Sequence, residues 1–167
     1  QKGLEVSDKR IRYAAFVETM DHYVGQLLDA VNAAGLTENT MVILTSDNGG
    51  MPEFAYNRPF RGSKWNLYEG GIRIPMLIHY PNSVRNGTAC EAPVTQLDFL
   101  PTFFEIASGK KHKGRHLDGT SLLPLLNGAS QPGLEERTLY WHFPYYHPEG
   151  DLFDKAAAPI GMEDGYI

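Results

Sequence analysis

Two stretches of the sequence carry side chains suited to chemistry. Thr45-Ser46-Asp47-Asn48-Gly49-Gly50 sets a carboxylate beside a carboxamide, just past a short apolar run. Both groups offer hard oxygen donors of the kind that Ca²⁺ or Mg²⁺ prefers. The two glycines let the backbone turn sharply beside them. Taken alone, Asp-Asn-Gly is also a common turn sequence, in which such side chains serve only the local backbone. The second stretch is Arg61-Gly62-Ser63-Lys64, followed by Tyr68-Glu69-Gly70-Gly71-Ile72-Arg73-Ile74-Pro75. Lys64 supplies a compact point charge for an anionic oxygen. Arg73 and Glu69 are close in sequence and read as a structural ion pair rather than as catalysts.

Other candidates carry two readings each. His142 lies in the aromatic run Tyr140-Trp141-His142-Phe143-Pro144-Tyr145-Tyr146-His147, where it can touch a sugar or aryl group or simply pack. His79 and His22 read as structural. Cys90 is the single cysteine, so no intrachain disulfide forms, and it reads as a small apolar or loop residue. The basic cluster from Lys110 to Arg115 reads as a solvated loop. Asn86-Gly87-Thr88 is a glycosylation sequon that matters only in a secreted eukaryotic setting.

The elements that position these residues follow from periodicity. Phe16, Met20, Val24, Leu27 and Val31 recur at spacings of three and four, which predicts a long amphipathic helix from about Asp8 to Ala34. Ser7 or Asp8 can cap its start, and Gly35 stands where a left-handed stop is expected. Thr40 to Thr45 is continuously apolar and partly β-branched, as in a strand buried on both faces. Ser46 to Lys64 is a long loop rich in Gly, Pro, Asn and Asp. Ile74 to Tyr80 reads as a second strand. Asp98 to Ala107 reads as a short helix capped by Asp98, with Pro101 tolerated in its first turn. Leu122 to Leu126 is a short apolar turn or helix, and Thr138 to Phe143 reads as a third strand. Helix, loop and strand in this order predict an α/β layered fold.

Composition narrows the functional class. The chain has 167 residues, with 42% hydrophobic and 21% charged, an ordinary balance for a soluble globular domain or a large piece of one. Its formal net charge of -5 argues against a nucleic-acid binder, which needs a dense basic footprint. A local cationic pocket for an anionic substrate remains compatible with it. No segment approaches the roughly 20 apolar residues that span a bilayer, so no membrane partner is expected. No leader is evident either. The chain opens on Gln1 and reads as a piece of a longer protein, whose compartment this leaves open.

The motifs combine into one pattern. Ser-Asp-Asn-Gly after a strand, then Gly62-Ser63-Lys64, then Tyr-Glu-Gly-Gly-x-Arg-x-Pro, resembles the type I sulfatases of the alkaline phosphatase superfamily. Gln96-Leu97-Asp98-Phe99-Leu100-Pro101-Thr102 is similar to that family's Asp-x-x-Pro-Thr helix start. Asp118-Gly119-Thr120-Ser121-Leu122 is similar to its Asp-Gly-x-Ser-Leu segment, and Tyr13 to Gly25 matches its long helix. The resemblance runs from about residue 10 to about 143. It implies an alkaline-phosphatase-like α/β fold, with a mostly parallel layered sheet flanked by helices, of which this chain forms the carboxyl-terminal portion of the catalytic domain (1–143). Residues 144–167 would then be a loop-rich segment leading toward a further subdomain.

The resemblance also implies roles. Asp47 and Asn48 fall on ligands of a divalent cation, Ca²⁺ or Mg²⁺, and Lys64 falls on a catalytic lysine that binds a sulfate oxygen of the substrate. His142 is a further substrate-binding candidate. The expected activity is hydrolysis of the sulfate ester of a small molecule or saccharide. The family nucleophile is a formylglycine made within Cys/Ser-x-Pro-x-Arg. Cys90 is followed by Glu91-Ala92-Pro93 and no Ser fits, so the nucleophile and the remaining metal ligands are expected upstream of Gln1. The chain alone is then expected to be inactive and, with faces meant for the missing half exposed, prone to self-association. Sulfatases that act on polysaccharides are generally exported or lysosomal. A phosphonate monoester or phosphodiester hydrolase of the same superfamily, or a non-catalytic sulfatase-like module, are the alternative readings.

Overall fold

The computed structural model describes residues 8–55, 57–81, 84, 87–112 and 116–143. The chain divides into two compact units. In the first, helix α1 spans Asp8–Ala33, one residue short of expectation. Its end is set by Gly35, whose φ of 69° is open to glycine at little cost. Leu36 N–H donates to Val31 O at 3.1 Å and Gly35 N–H to Asn32 O at 2.9 Å. This double closure satisfies carbonyls that the helix leaves without partners. The start of α1 meets the turn at 51–55. Tyr13 stacks on Phe54 with ring centroids 5.7 Å apart, and Lys9 pairs with Glu53 at 3.6 Å.

Strand β1 covers Val42–Thr45, the one-turn helix α2 covers Glu69–Ile72, and strand β2 covers Met76–His79. The two strands pair in a two-stranded sheet. The α/β class therefore holds for the described residues, but two details differ from expectation. Leu44 is 51% exposed, so β1 is not covered on both faces. Thr138 to Phe143 forms no strand. A strand needs a ladder partner, and among the described residues only β1 and β2 pair; Tyr140 stands 89% exposed. The apolar stripe of α1 is likewise open, with Phe16 66% and Leu27 64% exposed.

In the second unit, a 3₁₀ turn at Gln96–Asp98 leads directly into α3, Phe99–Ser108. Asp98 was expected to cap α3. It instead serves the preceding turn, accepting from Thr95 N–H at 2.8 Å, while the Thr95 hydroxyl accepts from Leu97 N–H. Asp98 cannot do both, since its carboxylate faces back toward Thr95. Pro101 sits in the first turn of α3, where its missing N–H has no partner to lose. Gly109, at φ 67°, ends the helix. Helix α4, Leu123–Leu126, closes at Gly128 in the same double-bonded manner as α1, and α5 covers Pro132–Glu135. Leu122 and Leu134 are the buried large apolar side chains among the described residues. Thr102 joins the pieces of this unit: its hydroxyl donates to Asp98 O and accepts from Leu122 N–H.

Candidate active site

The site is built where β1 ends. The Thr45 hydroxyl donates to Pro75 O at 3.0 Å, tying the strand end to the entry of β2. The Ser46 hydroxyl donates to Asn48 O at 2.8 Å and fixes the bend that carries Asp47 and Asn48. Asp47 is exposed and Asn48 half-buried. The two oxygen-bearing side chains thus stand on a short, internally bonded bend beyond a strand, a position at which α/β folds present ligands.

The second stretch is pinned directly against this bend. Gly49 N–H donates to Gly71 O at 2.9 Å, and Lys64 N–H donates to Gly50 O at 3.1 Å. Gly50 also exchanges two hydrogen bonds with the Asn57 carboxamide, each 2.9 Å. The approach is close enough to demand glycine: a Cβ on Gly49 would lie 1.7 Å from Gly70 O. Within the second stretch, Gly70 N–H donates to Arg61 O at 2.7 Å. The buried Asn66 accepts through Oδ1 from Ser63 N–H and Tyr68 N–H. Backbone and carboxamide bonds therefore hold the Asp47-Asn48 bend and the Lys64 segment as one frame.

The cations of this frame differ in how they are engaged. Arg61 lies over the Tyr68 ring at 4.1 Å. Arg73 lies over Phe60 at 4.8 Å and pairs with Glu69 at 3.2 Å, the structural ion pair expected from the sequence. Lys64 is a half-buried residue, and its ammonium stands 5.9 Å from the Trp65 ring centroid. Lys64, Asp47 and Asn48 are thus brought onto one frame. His142 is exposed, and no described hydrogen bond or ion pair joins it to them. His79 is exposed on β2, His22 on α1 shares a 3.0 Å hydrogen bond with Gln26, and Cys90 lies exposed in a loop. Of the basic cluster, Lys110 and Lys111 are exposed and His112 packs edge-on against Phe104, while 113–115 and Asn86 of the sequon lie outside the described residues.

Sequence reasoning missed Asn57 and Asn66, whose carboxamides fasten the frame, because an Asn within a polar loop carries no signal of its distant partner. The donor chemistry fits a hard cation, since Asp47 and Asn48 both present oxygen. Among the described residues no three His, Cys, Asp or Glu side chains gather to hold a metal ion. Two such side chains are fewer oxygens than a hard cation of this kind takes. No helix among the described residues is long and apolar enough to cross a membrane.

Comparison with known proteins identifies the family. The family model described as Sulfatase matches residues 5–110. A sulfatase of Formosa agariphila is 39% identical over 157 residues, covering 87% of this chain and 28% of that protein. Rat steryl-sulfatase is 38% identical over 71% of this chain and 22% of its own length, and human arylsulfatase H is 34% identical over 81% and 26%. The chain thus spans less than a third of these relatives. Among solved structures, Ps i-CgsB in complex with k-i-k-neocarrahexaose matches with a TM-score of 0.67 and 37% identity, over 72% of this chain and 27% of that one. BT4656 in complex with its substrate D-glucosamine-2-N,6-O-disulfate matches with a TM-score of 0.61 and 28% identity, over 78% and 26%. With its Asp-Asn bend and lysine segment locked together and a family model covering most of its length, the chain belongs to the sulfatase family.

Proposed function

We propose that this chain supplies part of the metal-binding and sulfate-binding side of a sulfuric ester hydrolase, within a longer protein. The observation that carries the reading is the pair of backbone hydrogen bonds, Gly49 to Gly71 and Lys64 to Gly50. Through them two oxygen donors for a cation and one ammonium for an anion are fixed on a shared frame. In this reading Asp47 and Asn48 contribute to holding Ca²⁺ or Mg²⁺. When bound, that cation supplies Lewis-acid stabilisation of negative charge on the sulfuryl oxygens. Lys64 holds a sulfate oxygen by a charge-assisted hydrogen bond and opposes the charge that grows there. The frame keeps Lys64 placed before substrate arrives, so little reorganisation is needed.

The nucleophile, a formylglycine, is assigned to a part of the protein outside these residues, and the chain alone is expected to be inactive. The finer architecture proposed is a mostly parallel layered sheet in which β1 and β2 take part. The substrate class proposed is a sulfated saccharide, supported by the sulfated sugar bound in the BT4656 structure.

The test is turnover of a chromogenic aryl sulfate and of the matching phosphate ester by the full-length protein, with and without Lys64→Ala. Sulfate-ester hydrolysis that falls at least about a hundredfold in the variant is expected. Preference for the phosphate ester would move the protein to the phosphonate and phosphodiester hydrolases. Turnover of neither would return it to the non-catalytic reading.

A further inference from the structure

We propose that Asn57 is a positioning residue of this site, its side chain setting where Lys64 stands relative to Asp47 and Asn48 and, through that placement, the rate of sulfate-ester cleavage; the proposal rests on the sulfatase reading above. The Asn57 carboxamide meets both polar groups of the Gly50 backbone. Its Oδ1 accepts from Gly50 N–H and its Nδ2 donates to Gly50 O, each at 2.9 Å. A carboxamide can do this because it presents a donor and an acceptor side by side, as a peptide group does, whereas an ionised carboxylate has acceptors alone. The fit is close: a Cβ on Gly50 would lie 2.2 Å from Ala55 Cβ and 3.0 Å from Asn57 Oδ1.

Gly50 O also accepts from Lys64 N–H at 3.1 Å. One carbonyl oxygen, with two lone pairs to offer, thus joins Asn57 and Lys64, and it lies two residues past Asn48 in the chain. A change at Asn57 is therefore felt at the Lys64 amide. Each half of the site has fastenings of its own. The Ser46 hydroxyl holds Asn48 O on one side, and Asn66 Oδ1 holds the Ser63 and Tyr68 amides on the other. Gly49 N–H to Gly71 O spans the two without Asn57. The turn at 51–55 is tied to α1 independently, with Phe54 stacked on Tyr13 and Glu53 paired with Lys9. Losing the Asn57 carboxamide leaves each half folded and able to hold its ion, and loosens their mutual placement. That placement counts most in the transition state, where cation and ammonium must oppose charge on the same sulfuryl group.

The experiment compares wild type, Asn57→Ala, Asn57→Asp and Phe54→Ala in the full-length protein. Each is assayed on para-nitrophenyl sulfate and on a glucosamine O-sulfate, with inhibition by inorganic sulfate and the Ca²⁺-dependent shift in Tm alongside. Asn57→Ala should lower kcat between about ten- and a hundredfold, as small misplacements of catalytic groups do. Its KM, its inhibition by inorganic sulfate and its Ca²⁺-dependent shift should stay at wild-type values. Asn57→Asp sets an acceptor against Gly50 O and should lose at least as much kcat. Phe54→Ala frees the same turn at its far side and should lower Tm while keeping kcat. Wild-type kcat in the Asn57 variants would overturn this proposal alone. So would a kcat loss in Asn57→Ala matched by equal losses in sulfate and Ca²⁺ binding, or an equal kcat loss in Phe54→Ala, since either would mark a residue that only holds the loop. Should Asn57→Ala not fold, Asn57→Asp, of the same shape, decides on the same criteria. A wild type that cleaves neither ester would overturn the sulfatase reading itself, and the positioning role with it.

Discussion

Arg137 grips Asp98 with both terminal guanidinium nitrogens, Nη1 to Oδ1 at 2.8 Å and Nη2 to Oδ2, across 39 residues of chain. The same guanidinium donates twice to Pro93 O, at 3.1 Å from Nε and 2.9 Å from Nη2. Asp98 is wholly buried and Arg137 only 14% exposed. With Thr95 N–H and Thr120 N–H also donating to the carboxylate, every oxygen of Asp98 is satisfied. The Asp-x-x-Pro-Thr segment and the Asp-Gly-Thr segment are thereby fastened to one charge.

Removing the cation should be worse than removing the pair. Arg137→Ala leaves a buried carboxylate without its counter-charge and is expected to destabilise by about 3–5 kcal/mol. The double variant Arg137→Ala with Asp98→Asn should recover part of that loss. Chemical denaturation of the single and double variants gives the comparison; a single variant as stable as wild type would contradict this role.

The same contact predicts an acid limb. Burial on its own raises the Asp98 pKa. The hydrogen bond from Arg137, those from Thr120 and Thr95, and the charge of Arg137 outweigh burial and hold it below its ordinary value of 3.8. A carboxyl whose folded pKa is depressed contributes its stability above the unfolded value and loses it as pH falls through the folded one. Stability is therefore expected to be insensitive to this group above about pH 5 and to fall below the ordinary value. Asp98→Asn should flatten that acid limb while lowering stability at neutral pH, as read from denaturation midpoints across the range.

Gly49→Ala is expected to break the frame. Its new Cβ would collide with Gly70 O, a backbone atom that cannot rotate away. A loss of at least about 2 kcal/mol is expected, as for overpacked sites generally. Gly87→Ala is a useful counterpart, since nothing lies within 4 Å of its Cβ position although its φ of 74° still penalises alanine. Equal Tm losses in the two variants would argue against the close-packed frame.

Asp47→Ala should weaken cation binding without unfolding the protein, because Asp47 is exposed and its bend is fastened through Ser46 and Asn48. In the full-length wild type, Ca²⁺ at a hundred times its Kd should stabilise by about 2.7 kcal/mol. The variant should show little Ca²⁺-dependent shift in Tm at the same concentration. A full shift would remove Asp47 from the ligand set.

The exposed stripe of α1, with Phe16, Met20, Tyr23 and Leu27 all open, predicts self-association of the isolated 167-residue chain. Sedimentation should show species larger than monomer at micromolar concentration, and Phe16→Glu with Leu27→Glu should shift them toward monomer. A monodisperse wild-type monomer would contradict this.

What could be read from sequence was local. The α1 boundary followed from Gly35, the two paired strands followed from apolar runs, and the Asp47-Asn48 and Lys64 segments followed from residue chemistry. What could not be read was set by distant partners. Thr138 to Phe143 has the composition of a strand but pairs with nothing among the described residues. Asp98 looks like a cap for α3, yet its partners are Arg137, Thr95 and Thr120, and nothing in the intervening sequence marks that pairing. The positive φ of Trp65, 79°, was equally invisible, because the turn around it is fastened by Lys64 N–H to Gly50 O and Ser63 N–H to Asn66 Oδ1.

The frame beneath Asp47, Asn48 and Lys64 is fastened by uncharged groups, main-chain amides and the carboxamides of Asn57 and Asn66. Ionic strength screens charges but hardly touches such bonds. If the longer protein is the sulfuric ester hydrolase proposed above, raised salt should weaken anion and cation binding at Lys64, Asp47 and Asn48 while leaving the frame's shape intact, so that activity lost in concentrated salt returns at once on dilution.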